Sequence, residues 1–155
     1  MDEQLLAVCQ AAYPDFVSLW ETLVNQDSGS DDAEGLVKVG ELVEAKLQSL
    51  SLLTNRHPAR EGAFHLSSEL SGGGACSLLL LAHLDTVFAK GTAQERPFAM
   101  DGEWAYGPGA SDCKSGVVLA LQAMGILQQR SCQSYKKITC FFNCDEEISS
   151  PTSKE

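Results

Sequence analysis

Cys76-Ser77-Leu78-Leu79-Leu80-Leu81-Ala82-His83-Leu84-Asp85-Thr86-Val87 is the stretch whose reading decides the fold. Its first eight residues form a continuous apolar run of strand length, the pattern of a strand buried on both faces. The run ends at a histidine and an aspartate two positions apart, so polar chemistry begins where the strand stops. In a parallel sheet the carboxyl ends of strands are where ligands gather.

Working outward, three glycines within residues 71–74 make a turn before this strand. Ahead of that turn, residues 63–66 read as a further strand and residues 52–62 as a polar connection. Pro14-Asp15 opens a helical pattern through Phe16, Leu19, Trp20 and Leu23, which stops near Asn25. A polar loop follows, in which Ser30 or Asp31 can cap the next helix, with Glu34 three residues after Asp31. Leu36, Val39, Val43, Leu47 and Leu50 then form one apolar stripe. Downstream, residues 98–106 suit a hairpin around Asp101-Gly102. Ser115–Gln129 reads as a buried helix, and residues 138–142 as a short strand. Strands alternating with helices predict an α/β layered sheet with helices on both faces.

The chain has 155 residues, 44% of them hydrophobic, which is one domain's worth with material for a core. It carries 21 acidic against 11 basic residues, a formal net charge of −10. Such a surface repels phosphate backbones and anionic lipid, which argues against nucleic-acid and membrane-surface partners. The longest apolar stretch, residues 75–82, falls far short of the roughly 20 residues a membrane span needs. Met1-Asp2-Glu3 has the wrong sign for a secretory leader. Six cysteines without a paired spacing read as free thiols in a reducing, cytoplasmic compartment.

Three places at element ends concentrate metal-type ligands: His83-Leu84-Asp85, the stretch Tyr106 to Lys114, and Asp145-Glu146-Glu147. Each alone is ordinary, since an HxD pair is commonly a surface hydrogen bond and an acidic triplet a solvated strand end. Together, one imidazole and several carboxylates suit a zinc site built from nitrogen and oxygen donors.

His83-x-Asp85-Thr86-Val87, then Tyr106-Gly107-Pro108-Gly109 with Asp112-x-Lys114-x-Gly116, then Asp145-Glu146-Glu147 resemble the dinuclear zinc aminoacylase/carboxypeptidase family. That family includes acetylornithine deacetylase, succinyl-diaminopimelate desuccinylase and the glutamate carboxypeptidases. Asp112 follows His83 by 29 residues and Glu146 follows Asp112 by 34, in keeping with the family. Val24-Asn25, Ser28-Gly29-Ser30 and the run from His83 to Phe88 followed by Lys90-Gly91 look most like the glutamate carboxypeptidase branch.

The resemblance implies a zinc-exopeptidase catalytic domain holding two Zn2+ in its complete form. His83 would ligate one zinc, and Asp85 would accept a hydrogen bond from the other ring nitrogen. Asp112 would bridge both metals, and Glu147 would bind the second. Glu146 would act as general base, taking a proton from the water between the metals and passing it to the leaving amine. The Asp112-Cys113 peptide would be cis. The implied reaction is amide hydrolysis that releases a C-terminal acidic amino acid from a small peptide, or deacylation of an N-acyl amino acid.

The remaining histidines and cysteines fall outside these motifs. His57 reads as a solvated loop residue, His65 has no partner in a matching motif, and Cys140 and Cys144 read as buried thiols. Cys113 neighbours the expected bridge, where the family uses the aspartate instead.

Two departures stand out. Ser149 occupies a position where the family usually has glycine, and Ser115 likewise. Relatives also run more than twice this length, with further ligands and a lid that recognises substrate and forms homodimers. Residues 1–155 are therefore expected to be the N-terminal part of an incomplete catalytic domain, either of a working enzyme or as a non-catalytic fragment.

Overall fold

The computed structural model describes residues 3–154. Helix α1 (Glu3–Val24) is followed by α2 (Ala33–Ser49), then strands β1 (Thr54–Pro58), β2 (Phe64–Ser71) and β3 (Cys76–His83). A short helix α3 (Thr92–Glu95) precedes the hairpin β4 (Ala99–Asp101) and β5 (Trp104–Tyr106). Helix α4 (Ser115–Gln129) and strand β6 (Tyr135–Asn143) complete the order.

Helix α1 begins eleven residues before the expected Pro14 and carries that proline inside it. Residues 4–12 are leucine, alanine, valine, glutamine and cysteine, mostly strong helix formers, and they outweigh one lost hydrogen bond. Gln10, whose carbonyl loses its donor to Pro14, is exposed, so water can serve it. Helix α2 is capped by Asp32, one residue later than expected, whose carboxylate accepts from the Gly35 amide at 3.2 Å. Its stripe Leu36, Val39, Val43 and Leu47 is buried as its spacing predicts.

The main sheet has the order β1-β2-β6-β3. Only β3 and β6 are parallel; β1 with β2 and β2 with β6 are antiparallel. Strand β1 was expected as connection, because Thr-Asn-Arg-His-Pro has no apolar alternation, and four of its five residues are in fact exposed. Backbone pairing to β2, rather than burial, makes it a strand.

The decisive apolar run is a strand, but not one buried on both faces. It lies at the sheet edge, where Leu78, Leu79 and Leu81 are 53–65% exposed and only Ala82 and His83 are buried. One face of the sheet, through Leu66, Leu70, Ile138, Cys140 and Phe142, shares a single core with α2 and with Val117, Val118, Leu121 and Met124 of α4. On the other face Leu79, Leu81, Thr139 and Phe141 line an open cleft. The β4–β5 hairpin turns at Gly102, as Asp101-Gly102 predicts.

Candidate metal centre

Parallel pairing sets His83 opposite Asn143, so the ends of β3 and β6 lie side by side. Their following segments, 84–87 and 144–148, therefore emerge together, and the Leu84 amide still donates to the Asn143 carbonyl at 2.7 Å. The third segment arrives through Gly107-Pro108-Gly109, where Gly107 has φ 139° and Gly109 has φ 72°. A Cβ at Gly107 would stand 2.3 Å from Val24, and one at Gly109 2.7 Å from Thr86. Only glycine combines that backbone with that approach. An irregular turn over Ala110–Lys114 then presents Asp112 ahead of α4. The Asp112-Cys113 peptide is cis, as the resemblance implies.

His83 Nε2 lies 2.8 Å from Asp112 Oδ1. On the other side of the ring, Nδ1 donates to the Asp85 backbone carbonyl at 3.0 Å, with Asp85 Oδ1 at 3.4 Å. That contact fixes the proton on Nδ1 and turns Nε2 toward Asp112, the orientation a metal-ligating histidine takes. Burial alone would lower the imidazole, yet hydrogen bonding to Asp85, Cys113 and Asp112 pushes it up to about 11. A ring surrounded by acceptors to this degree favours a positive charge in the site.

Asp85 is fully buried and holds more than the ring. Its carboxylate accepts from the Ser30 hydroxyl at 2.8 Å, the Glu146 amide at 3.1 Å and the Glu147 amide at 3.0 Å. Burial raises this carboxyl, but the hydrogen bonds from His83, Ser30, Glu147 and Glu146 outweigh it and hold it below the usual carboxylate range. The expected contact to His83 is thus made mainly through the main chain, while the carboxylate pins the 146–147 turn.

Strand β6 ends at Asn143, and Glu146–Ile148 forms a single helical turn. The chain is no longer extended there, so neighbouring glutamates need not point to opposite faces. Glu146 is exposed and Glu147 partly buried. Burial, the negative charge of Asp112 and that of Asp85 raise the Glu147 carboxyl. Asp145, the first acid of the triplet, turns away: it is buried and accepts from the amides and hydroxyls of Thr152 and Ser153.

Several contacts around the site have no signature in the sequence, although Lys114 itself stands in the Asp112-x-Lys114-x-Gly116 motif. Lys114 is buried, donates to the Gln26 carbonyl at 2.7 Å, and is pushed down to about 8 by that burial. Asp27 accepts from the Gly91 and Ala93 amides, tying the 26–32 loop to the segment after Thr86. Trp20 Nε1 donates to the Ala110 carbonyl at 2.9 Å and anchors the turn that carries Asp112. His65 is buried, accepts from the Cys144 amide at 3.2 Å, and lies 3.0 Å from Thr152 Oγ1. His57 stands exposed on β1 rather than in a loop, 2.8 Å from Ser67 Oγ. Cys140 and Cys144 are buried as expected, and burial pushes their thiols up to about 11 and about 12.

The donor set fits a divalent ion of the zinc type. Among the described residues, ligand atoms of His83, Asp112 and Cys113 lie within 4.8 Å of one another. Glu147 is outside that group but close enough to feel the charges of Asp112 and His83. One imidazole nitrogen with carboxylate oxygens is a mixed set that zinc accepts and calcium or magnesium does not prefer.

Residues 79–155 match the model of peptidase family M20/M25/M40. The chain is 33% identical to Carboxypeptidase G2 of Pseudomonas sp. (strain RS-16) over 156 residues, covering 99% of this chain and 38% of that protein. Its fold is similar to an M20 family metallo-carboxypeptidase from Sulfolobus solfataricus, with TM-score 0.74, 20% identity, and 87% of this chain on 32% of that one. Human carnosine dipeptidase 1 aligns with TM-score 0.76 and 18% identity, over 97% of this chain and 36% of that one. The chain thus spans under two fifths of the length of each of these relatives. Three ordered motifs meeting at one set of strand ends, together with these likenesses, give the conclusion that the chain belongs to peptidase family M20/M25/M40.

Proposed function

We propose that this chain supplies the first metal ligands and the general base of a zinc-dependent amide hydrolase of the glutamate carboxypeptidase type. The observation that carries this reading is the His83–Asp112 pair beside the 146–147 turn, at the ends of two parallel strands. His83 through Nε2, Asp112 and Glu147 would hold two zinc ions, with Asp112 shared. Zinc, when bound, polarises the scissile carbonyl and makes water more acidic. Glu146, held by its amide to Asp85 and exposed, would take a proton from the attacking water and deliver it to the leaving amine. Asp85 keeps the histidine ring and the glutamate turn in mutual register.

The substrate we infer is a small peptide or N-acyl amino acid with a C-terminal acidic residue such as glutamate; the motif resemblance to the glutamate carboxypeptidases and the likeness to a carboxypeptidase support this reading. Residues 1–155 would be the N-terminal part of the catalytic domain, with a lid that recognises substrate and dimerises lying outside it. Free cysteines throughout the described residues suit a reducing, cytoplasmic setting. No described helix is long and apolar enough to cross a membrane.

A second reading has its own observation. Among the described residues His83 and Asp112 stand in one donor group with Glu147 outside it, a set that would leave each of two metals short of ligands, which favours a non-catalytic role for this segment alone.

A graft separates these readings. Residues 1–155 replace the matching segment of Carboxypeptidase G2, and zinc content and glutamate release from an acyl-glutamate are measured. The graft should release glutamate, and Glu146→Ala should lower turnover by about 10²–10⁴-fold while zinc is retained. A zinc-loaded, inactive graft would contradict the first reading. Zinc lost with Glu146→Ala but kept with Glu147→Ala would exchange the two glutamate roles.

A further inference from the structure

Cys113 is the cysteine among those described whose sulfur joins a metal-donor group, with His83 and Asp112. We propose that Cys113 Sγ is a metal ligand, and that His83, Asp112 and Cys113 form a three-donor site that takes up one zinc-type ion within this chain. The proposal rests on reading His83 and Asp112 as ligands, and adds to it a sulfur donor that neither the motif resemblance nor the two-metal arrangement uses.

Four observations carry it. The three donor atoms lie within 4.8 Å of one another, so small rotations bring them to common coordination distance. The ring is already aimed, because Nδ1 is held by the Asp85 carbonyl and Nε2 faces Asp112. Cys113 is half-buried, so its sulfur is reachable by an ion yet partly shielded from water. Gly116 leaves the space the sulfur needs: a Cβ there would come within 3.1 Å of Cys113 Sγ.

The other cysteines do not offer this. Cys140 and Cys144 are buried outside the group, Cys9 and Cys76 are exposed outside it, and the half-buried Cys132 lies outside it too.

One nitrogen, one oxygen and one sulfur from protein, with a fourth position for water, is a zinc coordination pattern. Binding converts the thiol to thiolate, and its proton leaves to solvent. A thiolate selects zinc, cobalt(II) and cadmium over magnesium, calcium and manganese.

Cobalt(II) titration of the reduced 155-residue chain under anaerobic conditions tests this. The expected result is a near-ultraviolet sulfur-to-cobalt charge-transfer band rising with the visible ligand-field bands and saturating at one equivalent. Cys113→Ser should lose the charge-transfer band and bind at least about tenfold more weakly, since even supporting groups around a metal cost that much. Ligand-field bands without a charge-transfer band in the parent would overturn the sulfur ligand while leaving His83 and Asp112 in place. No cobalt spectrum at all would overturn both, and a band persisting in Cys113→Ser would assign the sulfur elsewhere. Alkylation of the parent gives an independent reading without a variant. Zinc should protect Cys113 from iodoacetamide and leave Cys9 and Cys76 unprotected; equal labelling of Cys113 with and without zinc overturns the proposal.

Discussion

Asp85 binds three segments of chain with one buried carboxylate: the Ser30 hydroxyl, the amides of Glu146 and Glu147, and the flank of His83. Removing it strands two partly buried amide donors as well as a hydroxyl. Asp85→Ala should therefore cost about 3 kcal/mol or more in urea unfolding, from donors left unpaired. A loss under about 1 kcal/mol would mean the three segments hold together without it. Ser149 makes the opposite case. It sits at φ 70° and Ser150 at φ 52°, a left-handed conformation that a side chain resists. The sequence departure from the family's glycine thus has a visible cost. Ser149→Gly should raise stability by about 0.5–1 kcal/mol, read as a higher melting temperature. An unchanged or lower value would show that the serine is not strained there. His57 and Cys113 show what a residue's neighbours in sequence conceal: pairing to β2 puts one on a strand, and the turn before α4 puts the other's sulfur among metal donors.

At the scale of elements, what the sequence made legible were those whose apolar spacing matches their burial. The α2 stripe and the β4–β5 hairpin are where their patterns place them, whereas α4, read as a buried helix, buries Val117, Val118, Leu121 and Met124 on one face and leaves Leu119 exposed. β1 was not legible, because it is a strand by backbone pairing alone. The start of α1 was hidden by Pro14, although the residues before it favour helix. β3 was legible as a strand but not as an edge, since a Leu-rich run says how apolar a strand is and not which neighbours it has. Its exposed leucines invite pairing with another chain. Leu79→Lys with Leu81→Lys should reduce self-association in sedimentation velocity while changing stability by about 0.5 kcal/mol or less, as exposed positions do. Undiminished association would place the contact surface elsewhere. β2 carries a second element-scale prediction through His65. Burial lowers its imidazole, partly opposed by the charge of Asp145, so the folded ring resists a proton that the unfolded ring accepts near pH 6.5. The unfolded state then binds more protons below that pH, and stability falls as pH drops. His65→Gln should flatten that slope below about pH 6.5; an identical slope would assign it to another group.

At the scale of the molecule, three ligand-bearing segments far apart in sequence converge because β3 and β6 run parallel and end together. The motifs and their order were legible from the chain. The buried ties that hold them in place were not: Asp85 to the glutamate amides, Lys114 to the Gln26 carbonyl, Trp20 to Ala110. Main-chain partners leave no residue pattern to read. The central claim is that His83 and Asp112 are the heart of a metal centre, and zinc calorimetry of the 155-residue chain tests it most directly. The parent chain should take up one zinc saturably, and His83→Ala and Asp112→Asn should each weaken binding at least about tenfold, while His65→Gln leaves it unchanged. Zinc affinity that survives in both His83→Ala and Asp112→Asn, or that falls with His65→Gln instead, would contradict the account.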